Sequence, residues 1–217
     1  MLKQTQTSIK LVIYSILVIS IIIGSAFVAG TFYPNKWAVE EIEDQVHKDE
    51  LTTIQLLGVK EPEFEFTDKA SFIEATGKCV EYLNYTTDRM NRVPTSIIIA
   101  MAGIESAWGQ SRFAEEGNAL FGVRTWDLEH TPHMKAKGNP DASWGVKKYK
   151  TKCQSVADMI KILNSHPAYE KFRIAREEQI DAGKWDYQTL LAGMTAWSTN
   201  PDYQKIILQA IVDNKLP

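Results

Sequence analysis

The sequence is poor in the side chains that most often bind metals or act as nucleophiles. Its 217 residues include only 2 cysteines and 4 histidines. His130 and His133 are close together, but Pro132 between them prevents a regular zinc-binding helix, and no third ligand has a diagnostic spacing. There is also no Ser/His/Asp arrangement and no phosphate-binding glycine loop. We therefore expect no metal ion and no cofactor.

The sequence also lacks a large excess of positive or of negative side chains. Lys and Arg total 24 against 27 Asp and Glu, which gives a net charge of −3. Without a basic stripe, nothing in the sequence favours a nucleic-acid partner. No internal repeat is present, so the length suits one globular domain with an appendage in front of it. We expect this chain to be a monomer.

The appendage begins with a long apolar run. Residues 11–33 contain no charged side chain, and about 20 apolar residues can cross a bilayer as a helix. Lys3 and Lys10 precede the run and acidic residues follow it. This asymmetry predicts a single-pass transmembrane anchor in the inner (cytoplasmic) membrane, with residues 1–10 as a cytoplasmic tail and the domain periplasmic or extracellular. A cleaved signal peptide is the alternative.

Beyond the anchor, the sequence predicts an acidic stem and a folded domain. We interpret residues 34–66 as a solvated spacer, whereas residues 67–217 are enough to bury a core. In the domain, Cys79 and Cys153 would face an oxidising compartment if this topology is right. They can pair there, although a small buried thiol is equally natural for Cys79 on an apolar helical face.

One apolar helix organises the predicted domain. Pro94 fits its first turn, and nearly every residue from Ile97 to Ile104 is apolar or small, so no face of the helix suits water. Glu105 follows at the C-terminal end, where the helix dipole and low-dielectric surroundings would both raise the pKa of its carboxyl group. A raised pKa suits a proton donor near neutral pH. From the residues alone, a solvated glutamate at the surface is an equally good interpretation.

Strand-like residues follow this helix. Residues 123–126 and 144–149 are separated by a polar stretch at 127–143, which predicts a β-hairpin with a long irregular tip. The tip has almost no aliphatic residues, so we expect it to open at a low cost in free energy. Helical spacing then resumes and predicts helices at 154–165, 168–182, 187–196 and 203–213.

Several ordered motifs resemble those of one known family. They are Glu105-Ser106-Ala107-Trp108-Gly109, Asn118-Ala119-Leu120-Phe121-Gly122, Val146-Lys147-Lys148-Tyr149, Ser155-Val156-Ala157-Asp158, His166-Pro167-Ala168-Tyr169 and Trp197-Ser198-Thr199-Asn200-Pro201-Asp202-Tyr203. Over roughly residues 68–215 the chain is similar to the glucosaminidase domain of bacterial peptidoglycan hydrolases (glycoside hydrolase family 73), especially its Bax-like branch. The resemblance implies a mainly α (α+β), lysozyme-like fold with a small β-hairpin lobe. It also implies an enzyme that cleaves β-1,4-N-acetylglucosaminyl bonds of the peptidoglycan glycan strand, with Glu105 as the catalytic acid.

Five side chains are candidates for binding this glycan. Asn118 and Phe121 belong to the N-x-x-F-G turn of the resembling family, and the indoles of Trp126 and Trp197 can stack on sugar rings. The family often has tyrosine at position 197, whereas Tyr203 keeps the family's hydroxyl group. We expect all five side chains to line a glycan cleft.

Most glycosidases pair the acid with a second carboxylate. The resemblance places this partner on the hairpin lobe, which offers Asp127, Glu129 and Asp141. We select Glu129 as the second catalytic residue. The substrate's own acetamido group is the alternative nucleophile.

Three other functions remain as alternatives. A lytic transglycosylase also uses one glutamate at the end of a buried helix. An N-acetylmuramoyl amidase usually needs zinc, and the ligand set for zinc is missing here. A non-catalytic glycan-binding module would have no need for an acid at Glu105.

Overall fold

The computed structural model describes residues 2–32, 38–39, 41–42, 45–46, 48–49, 52, 56, 58–180 and 182–217. Most of the predicted stem before residue 58 therefore lies outside the described residues. The chain divides into two compact units, Met1–Thr53 and Ile54–Pro217. The first unit contains helix α1, Leu2–Phe32.

The prediction of a transmembrane anchor at residues 11–33 is wrong. Among the described residues, no helix is both long enough and apolar enough to cross a membrane. Neither the anchor nor the membrane as a partner is retained.

The second unit is mainly helical with a small sheet, as predicted. Its helices are α2 (Lys69–Tyr85), α3 (Thr95–Ser106), α4 (Arg112–Gly117), α5 (Lys152–Ser165), α6 (Glu170–Ile180), α7 (Tyr187–Ala192) and α8 (Tyr203–Asp213), with short 3₁₀ helices at Arg89–Asn91 and Pro167–Tyr169. Helix α3 is the apolar helix of the sequence analysis, and it contacts both α2 and α8.

Capping side chains explain where several of these helices begin. Asp68 accepts a hydrogen bond from the backbone N–H of Ser71, and the Ser71 hydroxyl accepts one from the backbone N–H of Asp68, which makes a capping box at α2. Ser111 and Thr151 cap α4 and α5 by accepting from backbone N–H groups. Pro94 is the N-cap of α3 and forms no side-chain cap.

Helix α3 lies at the centre of the hydrophobic core. Ile97, Ile98 and Met101 have no exposed surface, and they share one cluster with Phe72 of α2 and Ile207 of α8. Burying a side chain of this size contributes about 1.5–3 kcal/mol. This packing fixes α3 along its length, and therefore fixes the end of the helix where Glu105 lies.

The predicted hairpin is part of a three-stranded antiparallel sheet with the order β1-β3-β2. The strands are β1 (Arg124–Thr125), β2 (His133–Met134) and β3 (Gly145–Lys147). Strand β1 pairs with β3 as the hairpin requires. The expected irregular tip is wrong in one respect, because it contains β2, which also pairs with β3. Met134 in β2 is only 8% exposed, so the tip buries more surface than its composition indicates.

The folded unit begins before the predicted boundary at residue 67. The rings of Phe64 and Phe66 lie edge-on to Phe72, with centroids 5.7 and 5.3 Å away. Both rings are partly buried against the core. The end of the predicted stem is thus part of the domain, because its two phenylalanines cover the aromatic side of α2.

A disulfide joins α2 to α5. Cys79 and Cys153 are bonded, with a Cα–Cα distance of 5.4 Å, and both are almost completely buried. The sequence left this pairing open, since an apolar helical face also suits a free thiol. The structure decides for the disulfide.

Candidate active site

Glu105 lies in the last turn of α3, next to the terminal residue Ser106. Its side chain is exposed, although the residues from Ser96 to Gly103 are buried. The expected low-dielectric surroundings are therefore not observed, because α3 reaches the domain surface in its last turn, where Ile104 is also 38% exposed. The carboxylate projects from a rigid, buried helix toward solvent.

An unusual turn ends α3 directly after this carboxylate. Ala107, Trp108 and Gly109 all have positive φ angles of 52°, 56° and 87°, a conformation that is uncommon for residues other than glycine. The backbone N–H of Trp108 donates to the carbonyl of Gly103 at 2.7 Å, and that of Gly109 donates to the Ser106 hydroxyl at 2.8 Å. These bonds hold the turn in place and reverse the chain beside the acid.

Two donors from the C-terminal part of the chain hold the carboxylate. The indole Nε1 of Trp197 donates to Oε1 of Glu105 at 2.9 Å, and the Tyr203 hydroxyl donates to the same oxygen at 2.7 Å. In the described part of the chain, no hydrogen bond reaches Oε2. The carboxylate is thus fixed through one oxygen, while the other oxygen has no hydrogen-bond partner among the described residues.

Tyr203 is a neutral phenol in this arrangement. It is the first residue of α8 and only 8% exposed. Burial raises the pKa of Tyr203 well above its ordinary value, and the negative charge of Glu105 raises it further. The phenol therefore stays protonated throughout the neutral pH range.

Three other predicted substrate-binding residues form no hydrogen bond with this carboxylate within the described part of the chain. The amide nitrogen of Asn118 donates to the carbonyls of Tyr149 and Lys150, at 3.1 and 3.0 Å, so it joins the end of α4 to the chain after β3. Phe121 is 2% exposed and belongs to the core, whereas Trp126 on the lobe is 66% exposed. Of the three, Trp126 alone offers an open ring face. Their roles in binding stay predictions.

The three carboxylates of the lobe differ in the hydrogen bonds that they form. Asp127 accepts from the backbone N–H of His130 at 3.1 Å, and its carboxylate lies 3.0 Å from the imidazole Nδ1 of the same residue. Glu129 and Asp141 are exposed, and neither forms a side-chain hydrogen bond within the described ranges. Glu129 therefore stays available as the second catalytic group, but no contact brings it to Glu105.

Sequence reasoning missed a polar junction that attaches the lobe to the helices. Lys147 Nζ and the Tyr149 hydroxyl both donate to Oδ2 of Asp158 in α5, at 2.9 and 2.7 Å. Burial, followed by the bond to Asp158, raises the pKa of Tyr149 well above its ordinary value. The signal was in the motifs V-K-K-Y and S-V-A-D, whose polar residues were read only as parts of a resemblance.

An open groove lies beside the carboxylate but does not contain it. Its volume is about 530 Å³, and its walls include Lys69, Ile104, Trp108 and the exposed side of α8. Glu105 does not line this groove. We place the candidate active site at Glu105, because hydrogen-bond donors from distant parts of the chain converge there on a titratable group, as functional sites often require.

Comparison with known families identifies the class of this domain. Residues 83–216 match the glucosaminidase family, described as mannosyl-glycoprotein endo-beta-N-acetylglucosaminidase. The matched segment includes the end of α3 and both donors to Glu105. The chain belongs to this family and is a hydrolase, which confirms the resemblance.

Individual relatives agree with this classification. Protein bax from Escherichia coli (strain K12) is 33% identical over 95 residues, which cover 44% of this chain and 32% of that protein. The chain thus spans about a third of the length of this curated relative. It is therefore similar to the Bax-like branch over part of that protein.

Two solved structures share the fold. The catalytic domain of the autolysin Auto from Listeria monocytogenes is 20% identical, with a TM-score of 0.52 over 80% of this chain and 94% of that domain. A peptidoglycan hydrolase from Sphingomonas sp. A1 is 21% identical, with a TM-score of 0.50 over 69% of this chain and 90% of that one. At these identities the likeness concerns the fold alone.

Proposed function

We propose that this protein is a peptidoglycan hydrolase that cleaves β-1,4-N-acetylglucosaminyl bonds of the glycan strand, with Glu105 as the general acid. The observation that carries the proposal is the Glu105 carboxylate at the end of the buried helix α3, which accepts hydrogen bonds from Trp197 and Tyr203. The names of the two solved structures, an autolysin and a peptidoglycan hydrolase, favour peptidoglycan as the substrate. The family description favours the glucosaminidase bond.

The chemistry requires a proton at the leaving oxygen. Glu105, protonated on Oε2, transfers this proton to the glycosidic oxygen as the bond from that oxygen to C1 of N-acetylglucosamine breaks. Positive charge then develops on the sugar ring, and a second group must stabilise or trap it. Glu129 or the acetamido group of the substrate fills this role before water completes the hydrolysis.

The first test replaces the proposed acid. We expect Glu105→Gln to fold normally and to lose at least about two orders of magnitude in turnover, the usual scale of general acid catalysis. The measurement is the release of reducing ends from intact peptidoglycan by the full chain. Glu81→Gln, at an exposed position of α2, is the matched control and should be unchanged. A well-folded Glu105→Gln protein with normal turnover would exclude the assignment.

Product analysis of the same digests separates the alternative functions. Reducing N-acetylglucosamine ends are expected for a glucosaminidase. Ends in the 1,6-anhydro form would instead identify a lytic transglycosylase, and free stem peptides an amidase. A protein that binds the glycan without any product would be a binding module.

The second carboxylate can be identified by replacing the three lobe acids one at a time. We expect Glu129→Gln to lower turnover strongly with little change in binding, because Glu129 is exposed and unengaged on the lobe. Asp127→Asn and Asp141→Asn are its matched controls on the same lobe. Three small effects would favour the acetamido group of the substrate and contradict the selection of Glu129.

We also infer that the domain works outside the cytoplasm, as the substrate would require. The buried Cys79–Cys153 disulfide supports this location, since disulfides persist in oxidising compartments and are rare in the cytosol. Alkylation of free thiols in intact cells tests the inference. A protein whose two cysteines are both alkylated without prior reduction would contradict it.

A further inference from the structure

We propose that Trp197 is a positioning residue that determines which oxygen of Glu105 carries the transferable proton. The inference rests on the proposed role of Glu105 as an acid and adds a role for a side chain that does not touch the reacting atoms. It starts from one geometric fact: Trp197 and Tyr203 donate to the same oxygen, Oε1, at 2.9 and 2.7 Å.

The two donors differ in what else they can do. An indole N–H can only donate a hydrogen bond, whereas a phenol can donate or accept. If Tyr203 were the sole partner, a proton on Oε1 could be donated to the phenol oxygen, and protonation at either oxygen would be tolerated. With Trp197 also in place, Oε1 must accept from a group that can only donate. A proton on Oε1 would make it a hydroxyl oxygen, which is a weaker acceptor than the carbonyl oxygen, and would weaken the bond from Trp197. The proton is therefore directed to Oε2.

The surroundings of the carboxyl group fit this selection. Oε1 is bonded to half-buried Trp197 and buried Tyr203, whereas Glu105 as a residue is exposed. Within the described residues, Oε2 has no hydrogen-bond partner that would hold its proton back. A proton on Oε2 is therefore free to be transferred, whereas a proton on Oε1 would lie next to Trp197 and Tyr203.

The two bonds also join the end of α3 to the C-terminal part of the chain. They span 92 and 98 residues of sequence, so Trp197 contributes a constraint that α3 alone does not supply.

The first test compares leaving groups. Trp197→Phe keeps an aromatic ring but removes the donor. On a phenyl glycoside of an N-acetylglucosamine oligosaccharide, whose leaving group must be protonated, we expect the variant to lose about threefold to tenfold in kcat, the scale of one hydrogen bond. On the 2,4-dinitrophenyl glycoside, whose leaving group departs without a proton, we expect a loss below about twofold.

The pattern of losses separates proton delivery from general damage. Trp185→Phe is the matched control, because Trp185 is a half-buried tryptophan away from the site, and it should leave both substrates unaffected. An equal loss on the two glycosides would mean that Trp197 has a structural role only. No loss on either one would also overturn the proposal.

A second test does not depend on activity. The Trp197 indole N–H resonance is assigned in a ¹⁵N-labelled protein by its disappearance in Trp197→Phe. Glu105→Gln mimics the acid protonated on Oε2, with the amide oxygen at Oε1, so the resonance should keep its hydrogen-bonded, downfield position. In Glu105→Ala it should move upfield and exchange faster with water.

The two tests can fail separately. If Glu105→Gln shifts the indole resonance as Glu105→Ala does, Trp197 does not select the oxygen, and the inference is overturned. If Glu105→Gln instead retains full turnover, the proposed function fails, whatever the resonance shows.

Discussion

At the level of single residues, the turn beside the candidate acid depends on a glycine that has no room for a side chain. A Cβ atom on Gly103 would lie 2.5–2.7 Å from three ring atoms of Trp108. The ring cannot easily withdraw, because it packs edge-on against Phe72 and lies under the ammonium group of Lys69, which is 4.1 Å from the ring centroid. Gly103 thus allows Trp108 to fold back onto the last turn of α3.

We expect Gly103→Ala to destabilise the domain by about 1–3 kcal/mol, the usual cost of overpacking a filled site. Turnover should also fall, because displacement of Trp108 moves the chain only three residues after Glu105. Urea unfolding and product release measure the two effects. Gly77→Ala in α2 is the matched control: its Cβ would meet only Ile99 Cδ1, at 3.6 Å, so it should be neutral or stabilising by up to about 1 kcal/mol. Equal unfolding midpoints for the two variants would contradict this account.

The sequence predicts the position of Glu105 at the end of a helix, but it does not predict the two hydrogen-bond donors that hold the carboxylate. The apolar run of α3 and the polar residue at its end can be read directly from the order of the residues. The donors Trp197 and Tyr203 come from a segment 92 and 98 residues away, and no local periodicity indicates that distant side chains share one oxygen. They were therefore predicted as walls for the substrate, whereas the structure places them as donors to the acid.

At the level of elements, a polar junction attaches the lobe to α5. Lys147 comes from β3 and Tyr149 from the chain just after it, and both donate to one oxygen of Asp158 in α5. The charged side chains of the junction, Lys147 and Asp158, are 29% and 20% exposed. Because the donors lie at the end of the central strand and just after it, this junction ties that strand to α5.

We expect Asp158→Asn to destabilise the domain by about 1–2 kcal/mol. A hydrogen bond to a charged group contributes about 1.5–3 kcal/mol, and the partial exposure of the junction reduces this value. The carbonyl oxygen of a neutral asparagine can accept both bonds at the position of Oδ2, but without the negative charge that strengthens them. Hydrogen exchange should speed up mainly in β3, which distinguishes a loosened lobe from global unfolding.

A surface pair provides the comparison for this junction. Asp202→Asn removes the partner of Lys205, whose Nζ lies 2.9 Å from the carboxylate, with side chains 82% and 61% exposed. Such exposed pairs contribute roughly 0–1 kcal/mol. If both substitutions lowered stability equally, the junction at Asp158 would be no more than another surface ion pair.

The longer helices and strands were easier to predict from the sequence than the shorter ones. The longer helices of the domain carry several turns of apolar spacing, so their positions follow from the sequence. Strand β2, at His133–Met134, is too short to display an alternating pattern, and its pairing depends on β3, which lies eleven residues further on. The tip between β1 and β3 therefore looked irregular although it contributes a strand.

At the level of the whole domain, two features could not be recognised from the sequence around them. Phe64 and Phe66 stand between acidic residues in Glu61-Pro62-Glu63-Phe64-Glu65-Phe66, and the acidic composition assigned them to a solvated stem. Alternation of phenylalanine and glutamate was the signal for one apolar face, which packs on α2. The disulfide was equally uncertain, since 74 residues separate its cysteines.

This disulfide should contribute a large part of the stability of the domain. Closing a loop of this length restricts the unfolded chain by about 4 kcal/mol in the loop-entropy account. We expect the double variant Cys79→Ala/Cys153→Ala to lose about this amount in urea unfolding of the full chain. Alanine is the suitable replacement, because both positions are at most 1% exposed and a serine hydroxyl would be buried there.

Reducing the disulfide of the wild-type protein distinguishes the stabilising effect of the cross-link from that of side-chain packing at the two cysteines. If the bond itself stabilises the domain, unfolding of the wild-type chain in dithiothreitol should approach the midpoint of the double variant, and dithiothreitol should leave the double variant unchanged. Activity below the transition should persist in both, because the disulfide joins α2 to α5 and does not contact Glu105. A reduced wild-type protein as stable as the oxidised one would show that the sulfur atoms act only by filling the core. The requirement for an oxidising compartment would then lose its structural basis.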